Sequence, residues 1–279
     1  MFKKITIIGV GLIGGSIGLA VQKKRLAKEV VGVCRRESSR QKAVECKSVN
    51  EATLDLEIGI KDADLIIIAA PVGEIVDIAR AVITHAKNGS ILIDVGSTKE
   101  TIVKDIEKII PSNIKFVGTH PMAGSEKSGV EFANDKLFHN SVCVITDTKK
   151  TNPEALAVVT KFWNSLGATC EKMPPDKHDH YISFVSHLPH VAAVALTISA
   201  NPDSLKYAAT GFRDTTRIAS ANPNLWKDIF ESNKQALLES IDEYKKALEG
   251  IERSIKNSDS TFLVQLLKKA KEIRDRLDR

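Results

Sequence analysis

Residues 3–14 read KKITIIGVGLIG, a short β-branched run that passes straight into Gly9, Gly11 and Gly14. Ile5, Ile7 and Ile8 suit a strand buried on both faces of a parallel sheet. The glycines that follow allow a tight turn, close approach of a pyrophosphate to the backbone, and packing of the next helix against the strand. The spacing predicts a dinucleotide phosphate site, with the helix that opens at Leu12 and Ile13 directing its first N–H groups at the phosphates. A glycine triplet alone also fits a plain strand-turn-helix. Here a helix from Ile13 to about Lys24 and a second strand, VVGVC at 30–34, supply the context that a Rossmann unit requires.

Outward from this loop, strand-like runs at 4–8, 30–34, 65–69, 90–95, 115–118 and 141–146 alternate with helical patterns at 73–85, 99–110 and 154–166, and a strand at 168–171 closes the series. Such alternation predicts an α/β Rossmann-type N-terminal domain over 1–172, a mostly parallel sheet wound with helices. After the MPPD punctuation at 173–176 the pattern turns wholly helical, at 178–199, 204–209, 225–249 and 260–277. An all-α C-terminal domain is therefore expected over 173–279. The stretch VAAVALTI at 191–198 is apolar nearly all round, which suits a buried helix or one packed on a second subunit, and a homodimer is expected.

Bulk properties narrow the function classes. A chain of 279 residues, 43% hydrophobic and 27% charged, fits neither a disordered nor a membrane protein. No apolar run looks long enough for the roughly 20 residues that span a bilayer. The first strand begins at once, without the sections of a secretory signal. Four scattered cysteines, Cys34, Cys46, Cys143 and Cys170, suit reduced thiols in the cytoplasm. A net charge of +5 is too mild to imply nucleic-acid binding.

In a Rossmann unit an acid at the end of the second strand accepts hydrogen bonds from the ribose 2′-hydroxyl. Here Cys34 is followed by Arg35 and Arg36, with Ser38 and Ser39 beyond. Two guanidiniums where a 2′-phosphate would lie favour NADP, with NAD still possible if the arginines are only solvated loop charges. Ala69, Ala70 and Pro71 end a central strand, where small side chains leave room for the cofactor.

Two further strand ends carry chemistry-bearing residues, DVGSTK at 94–99 and GTHPMAGSE at 118–126. His120, held by a following proline, is placed to exchange a proton with a substrate hydroxyl, or else is a structural histidine. Ser97 reads equally as a helix N-cap. His187 and His190 share a helical face if Pro189 lies in the first turn. Arg213, Asp214 and Arg217 lie at helical spacing, so Asp214 could orient Arg217 toward a carboxylate, or the set could be an ordinary surface ion pair. Joining His178, His180, His187 and His190 into a zinc site is a further reading; hydride transfer to a nicotinamide needs no metal, and none is expected.

Taken in order, GVGLIGGSIG at 9–18, DVGSTK, GTHPMAGSEKSG at 118–129, SHLPH at 186–190 and GFRDTTRIA at 211–219 resemble the prephenate/arogenate dehydrogenase family of tyrosine biosynthesis. The resemblance implies an oxidoreductase that moves hydride from a ring carbon to NADP or NAD as the ring loses carbon dioxide. It implies His120 as the proton acceptor, Ser97 as its orienting partner, Arg217 as the carboxylate binder and His190 beside the substrate side chain. Ser125, Glu126, His187, Asp214, Arg213 and Trp226 become active-site neighbours by the same resemblance. Prephenate is the expected substrate, with arogenate the alternative. Other dehydrogenases with helical second domains, such as β-hydroxyacid dehydrogenases, should lack the GTHPMAGSEKSG and GFRDTTRIA pair. A non-catalytic NADP-sensing module should have lost His120, Ser97 or Arg217, and all three are present.

Overall fold

The computed structural model of the chain describes residues 1–124 and 127–277. Eight strands form one sheet in the order β3-β2-β1-β4-β5-β6-β7-β8. The elements run β1 (Phe2–Ile8), α1 (Leu12–Lys23), β2 (Ala27–Val33), α2 (Glu37–Glu45), β3 (Glu51–Thr53), α3 (Leu56–Ile60), β4 (Leu65–Ile68) and α4 (Ile75–Ile83). They continue with β5 (Ile91–Asp94), α5 (Glu100–Ile109), β6 (Lys115–Pro121), β7 (Val142–Thr146), α6 (Pro153–Leu166) and β8 (Thr169–Met173). Every pairing is parallel except that of β6 with β7. The first six strands have the doubly wound order, whose switch point falls between β1 and β4.

The run of apolar residues in each central strand follows from burial on both faces. All four residues of β4, Leu65 to Ile68, are fully buried, as are Ile5 and Ile7 of β1. Each such side chain contributes about 1.5–3 kcal/mol relative to exposure. One apolar cluster fills the face toward α1 and α6, centred on Ile7, Ile17 and Trp163, and another fills the opposite face under α4 and α5. Expected strands and helices all occur; the short β3, α2 and α3 were not anticipated, because α2 is strongly polar and β3 only three residues long.

Beyond Met173 the chain is helical, as expected, but its helices are more broken. The stretch read as one helix over 178–199 is α7 (Pro175–Ile182), a π-helical turn at Ser183–His187, and α8 (Leu188–Ser199). Pro189 lies in the first turn of α8, where its missing N–H costs nothing. The continuous run Pro175–Ser199 is long and apolar enough, by length and composition, to cross a membrane. Sequence inspection passed over it because four histidines interrupt it. A short 3-10 helix at Pro202–Tyr207 precedes α9 (Thr210–Thr216), which continues into a 3-10 turn at Arg217–Ser220. The helix expected over 225–249 is split at Asn233 into α10 (Pro223–Ser232) and α11 (Lys234–Lys256), followed by α12 (Ser260–Arg274).

The chain divides into two compact units, Met1–Asn233 and Lys234–Arg279. This division lies well past the change from mixed to helical pattern at 172/173, since α7 packs on α5 and β7 and so belongs with the sheet. The second unit is α11 and α12 packed on one another.

Candidate active site

The site is built at the carboxyl edge of the sheet. Gly9 follows β1 with φ of +93°, and a Cβ there would lie 2.3 Å from the Ala69 carbonyl oxygen that ends β4. A Cβ on Gly14 would meet the Gly9 carbonyl at 2.1 Å. Both glycines are thus demanded by the packing of the loop itself. Gly11 differs: a Cβ there would meet nothing within 4 Å, projecting instead in front of the first turn of α1, which has neither a side-chain cap nor an acidic residue. The N–H groups of Leu12 and Ile13 open α1 without an intrahelical partner or a side-chain cap, and such groups fit a pyrophosphate. Gly11→Ala should therefore keep the parent's unfolding midpoint and lose about tenfold or more in dinucleotide affinity. Gly14→Ala should lower the midpoint instead; unchanged affinity in Gly11→Ala would remove the phosphate cradle.

Where the adenosine ribose would lie, Arg35 and Arg36 are exposed and no acid ends β2. Arg35 is paired with Glu74 at 2.6 Å, a surface contact worth ~0–1 kcal/mol. The N-terminus of α2 at Arg36 has no side-chain cap, and Ser38 sits in its first turn, while the neighbouring Glu37 is taken up by Arg40. Ala70 and Pro71 line the crevice opposite, and Ala70 packs in the same cluster as Trp226 of α10. These residues can hold a nicotinamide dinucleotide, phosphorylated or not.

His120, the penultimate residue of β6, is 9% exposed. Its Nδ1 lies 2.8 Å from His178 Nε2, and His178 Nδ1 lies 2.7 Å from Asp179 Oδ1. Asp179 also accepts the backbone N–H groups of Lys99 (2.7 Å) and Glu100 (2.9 Å), so it caps α5 from a different helix. Ser97 is therefore not the N-cap; it is half-buried and makes no hydrogen bond to a described residue. Asp94 and Lys99 form a fully buried ion pair beneath this network. The Asp94 carboxylate also accepts Gly96 N–H at 2.9 Å, and its carbonyl accepts the Thr119 hydroxyl at 2.5 Å, tying the DVGSTK loop to the strand of His120. Burial, then the neighbouring His178, Lys99 and His187, holds the His120 pKa well below the usual histidine range. Its ring is a free base at neutral pH.

The helical part contributes a second group. His187 is fully buried; its Nδ1 meets the Asn233 side-chain amide at 3.1 Å, and that amide also donates to the Asp179 carbonyl at 2.8 Å. The helix break at Asn233 is what turns this amide inward. His190 stacks on Trp226 with ring centroids 3.2 Å apart, and burial lowers the pKa of both His187 and His190 to about 4. Asp228 of α10 approaches within 3.8 Å of where a Gly73 side chain would begin, so this helix stands beside the loop after Pro71.

Arg213, Asp214 and Arg217 are all exposed. The expected Asp214–Arg217 pair is not formed, because α9 gives way to a 3-10 turn at Arg217 and the i,i+3 geometry changes. Arg213 instead donates to the Ala208 carbonyl at 3.2 Å. Ser125 and Glu126 lie outside the described residues. The four histidines read as a metal cluster do not converge among the described residues: His178 is bonded to His120 and Asp179, and His187 to Asn233. Sequence reasoning missed Asp179 and Asn233, and took Asp94 and Lys99 only as the ends of the DVGSTK stretch. The adjacent His178-Asp179 at the start of a Pro-initiated helix was the available signal for the first of these.

Residues 17–172 match the family model described as "Prephenate dehydrogenase, nucleotide-binding domain", and residues 174–269 match "Prephenate dehydrogenase, dimerization domain". A prephenate dehydrogenase of Bacillus subtilis (strain 168) is 35% identical over 98% of this chain and 76% of its own length. The crystal structure of prephenate dehydrogenase from A. aeolicus in complex with hydroxyphenyl propionate and NAD+ superposes with a TM-score of 0.93 at 32% identity, covering 99% of both chains. Synechocystis arogenate dehydrogenase superposes with a TM-score of 0.84, also at 32% identity, over 98% of this chain and 99% of its own. With both parts matched in order, the chain belongs to the prephenate dehydrogenase family and is an NAD(P)-dependent dehydrogenase.

Proposed function

We propose that the chain catalyses the oxidative decarboxylation of prephenate to 4-hydroxyphenylpyruvate, preferring NADP, as a homodimer in the cytoplasm. The observation that carries this reading is His120: an unprotonated imidazole at the sheet edge that also bears the dinucleotide cradle, with Nε2 bonded to no described residue. When bound, the nicotinamide supplies the hydride acceptor. His120 takes the proton of the ring hydroxyl as the carbon beneath it is oxidised, and Ser97 orients that hydroxyl. Departure of the ring carboxylate as carbon dioxide makes the ring aromatic, and His120 returns the proton to the phenolic oxygen. Trp226 and His190 form a stacked, uncharged wall suited to a ketoacid side chain. Arg217, with Arg213 and Asp214 on the same turn of chain, offers the carboxylate clamp.

NADP preference rests on Arg35, Arg36 and Ser38 around the open N-terminus of α2, with no acid at the end of β2. The homodimer rests on the apolar residues that α8 leaves exposed, Val194, Leu196 and Ile198. This face also accounts for the membrane-like composition of 175–199 without a membrane partner. Two measurements test the function. Reduced cofactor, 4-hydroxyphenylpyruvate and carbon dioxide should form in equal amounts from prephenate. Arg217→Ala should raise the KM for prephenate by about tenfold or more with cofactor affinity unchanged. Absence of carbon dioxide release, or an unaltered KM, would refute the respective assignment.

A further inference from the structure

We propose that Asp179 and His178 form a closed proton relay behind His120, which fixes the tautomer of the base and stores the substrate proton inside the protein until the ring takes it back. The inference rests on the reaction proposed above for the mechanism of storage, but its first element, the tautomer, is a property of the free protein.

The hydrogen bonds assign the protons one after another. Both oxygens of Asp179 accept backbone N–H groups, so neither donates, and His178 must carry its proton on Nδ1. Burial keeps His178 neutral, opposed by Asp179, so its Nε2 is an acceptor. His120 must then donate through Nδ1, which leaves the lone pair on Nε2. In a triad of serine, histidine and aspartate the carboxylate does the same for one imidazole; here the effect passes through two.

The same chain gives the proton somewhere to go. As His120 Nε2 bonds to the substrate's hydroxyl proton and the O–H bond breaks, the Nδ1–H proton of His120 passes to His178 Nε2, leaving His120 neutral and His178 an imidazolium. The charged groups around the two rings favour this arrangement. Lys99 opposes a positive charge on either ring and His187 opposes one on His120, while Asp179 and Asp94 favour one on His178. Of the two rings, only His178 touches a carboxylate among the described residues, at 2.7 Å. His178 is 0% exposed and Asp179 1%, and the carboxylate ends on backbone amides, so the relay has no outlet to solvent. That suits a reaction in which the proton removed at oxidation returns to the phenolic oxygen after decarboxylation, with none released.

The test combines nitrogen NMR of protein labelled at its seven histidines with kinetics. His120→Asn identifies the His120 signals. In the free wild-type protein His120 should show a protonated Nδ1 and an unprotonated Nε2. His178→Gln keeps an acceptor for Nδ1 but cannot hold a proton: the His120 tautomer should persist, while kcat falls about tenfold or more with KM and cofactor affinity unchanged. His178→Phe removes the acceptor, so the His120 tautomer should become mixed or reversed and kcat should fall further. A proton on Nε2 of His120 in the wild-type protein overturns the relay, whichever variants fold. A parent-like kcat in His178→Gln overturns proton storage. If the wild-type protein turns over no prephenate, the proposed function fails, and the NMR result still decides the tautomer.

Discussion

His120→Asn should lower kcat by about 10²–10⁴-fold, the usual contribution of a positioned general base, and leave the dissociation constant of the nicotinamide cofactor unchanged. The separation of effects follows from placement: His120 is on β6, whereas the dinucleotide cradle is formed by Gly9, Gly11 and Gly14 after β1. The parent's pH dependence carries the same signature. In the proposed reaction the active form of His120 is the unprotonated one, and burial holds its pKa well below the ordinary value of about 6.5. Activity should thus persist as pH falls through 6.5 and disappear only at more acid values. Pre-steady-state kinetics at saturating substrate check the first expectation, and a profile of kcat/KM against pH checks the second. A variant within about tenfold of the parent would transfer the proton to another group.

Lys99→Met should destabilise the protein by about 3–5 kcal/mol, the cost of leaving one member of a buried ion pair alone. Lys99 and Asp94 are both 0% exposed, so the partner left behind would be a buried, uncompensated charge. Restoring neutrality with Asp94→Asn in the same chain should recover part of the loss, since the Gly96 N–H can still be accepted by the side-chain oxygen. Chemical denaturation of the two variants measures this directly. The pair also explains why so costly an arrangement stands here. It joins the two ends of the loop that carries Ser97 and places a positive charge beside both relay histidines. A single variant as stable as the parent would mean that the ion pair is not structural.

The features legible in the sequence were those written in local pattern. The glycine loop, the Ile-rich strands and the change to helices after Met173 each follow from periodicity or turn chemistry over fewer than about twenty residues. His120 was legible because it stands at a strand end in a loop of unusual composition. Asp179 was not, because its partners are Lys99 and Glu100, some eighty positions earlier, and only the docking of α7 on α5 brings them together. Asn233 was hidden for another reason: an uninterrupted helix was expected there, and the break that turns its amide toward His187 leaves no Gly or Pro behind it. The Asp214–Arg217 pairing failed because regular helical spacing was assumed one residue beyond the end of α9. The run at 175–199 has the length and mean composition of a membrane span, but its four histidines break the apolar pattern into shorter stretches.

The chain is proposed to use His120 and an NADP-favouring crevice to oxidise prephenate. Initial rates of nicotinamide reduction with purified protein, in a grid of prephenate or arogenate against NADP or NAD, test it most directly. The highest kcat/KM is expected for prephenate with NADP, and a kcat about a hundredfold or more below the parent's for His120→Asn in every combination. Preference for arogenate would overturn the reading of His190 and Trp226, and preference for NAD would reduce Arg35 and Arg36 to surface charges. Cofactor binding without turnover of either substrate would contradict the proposed reaction itself.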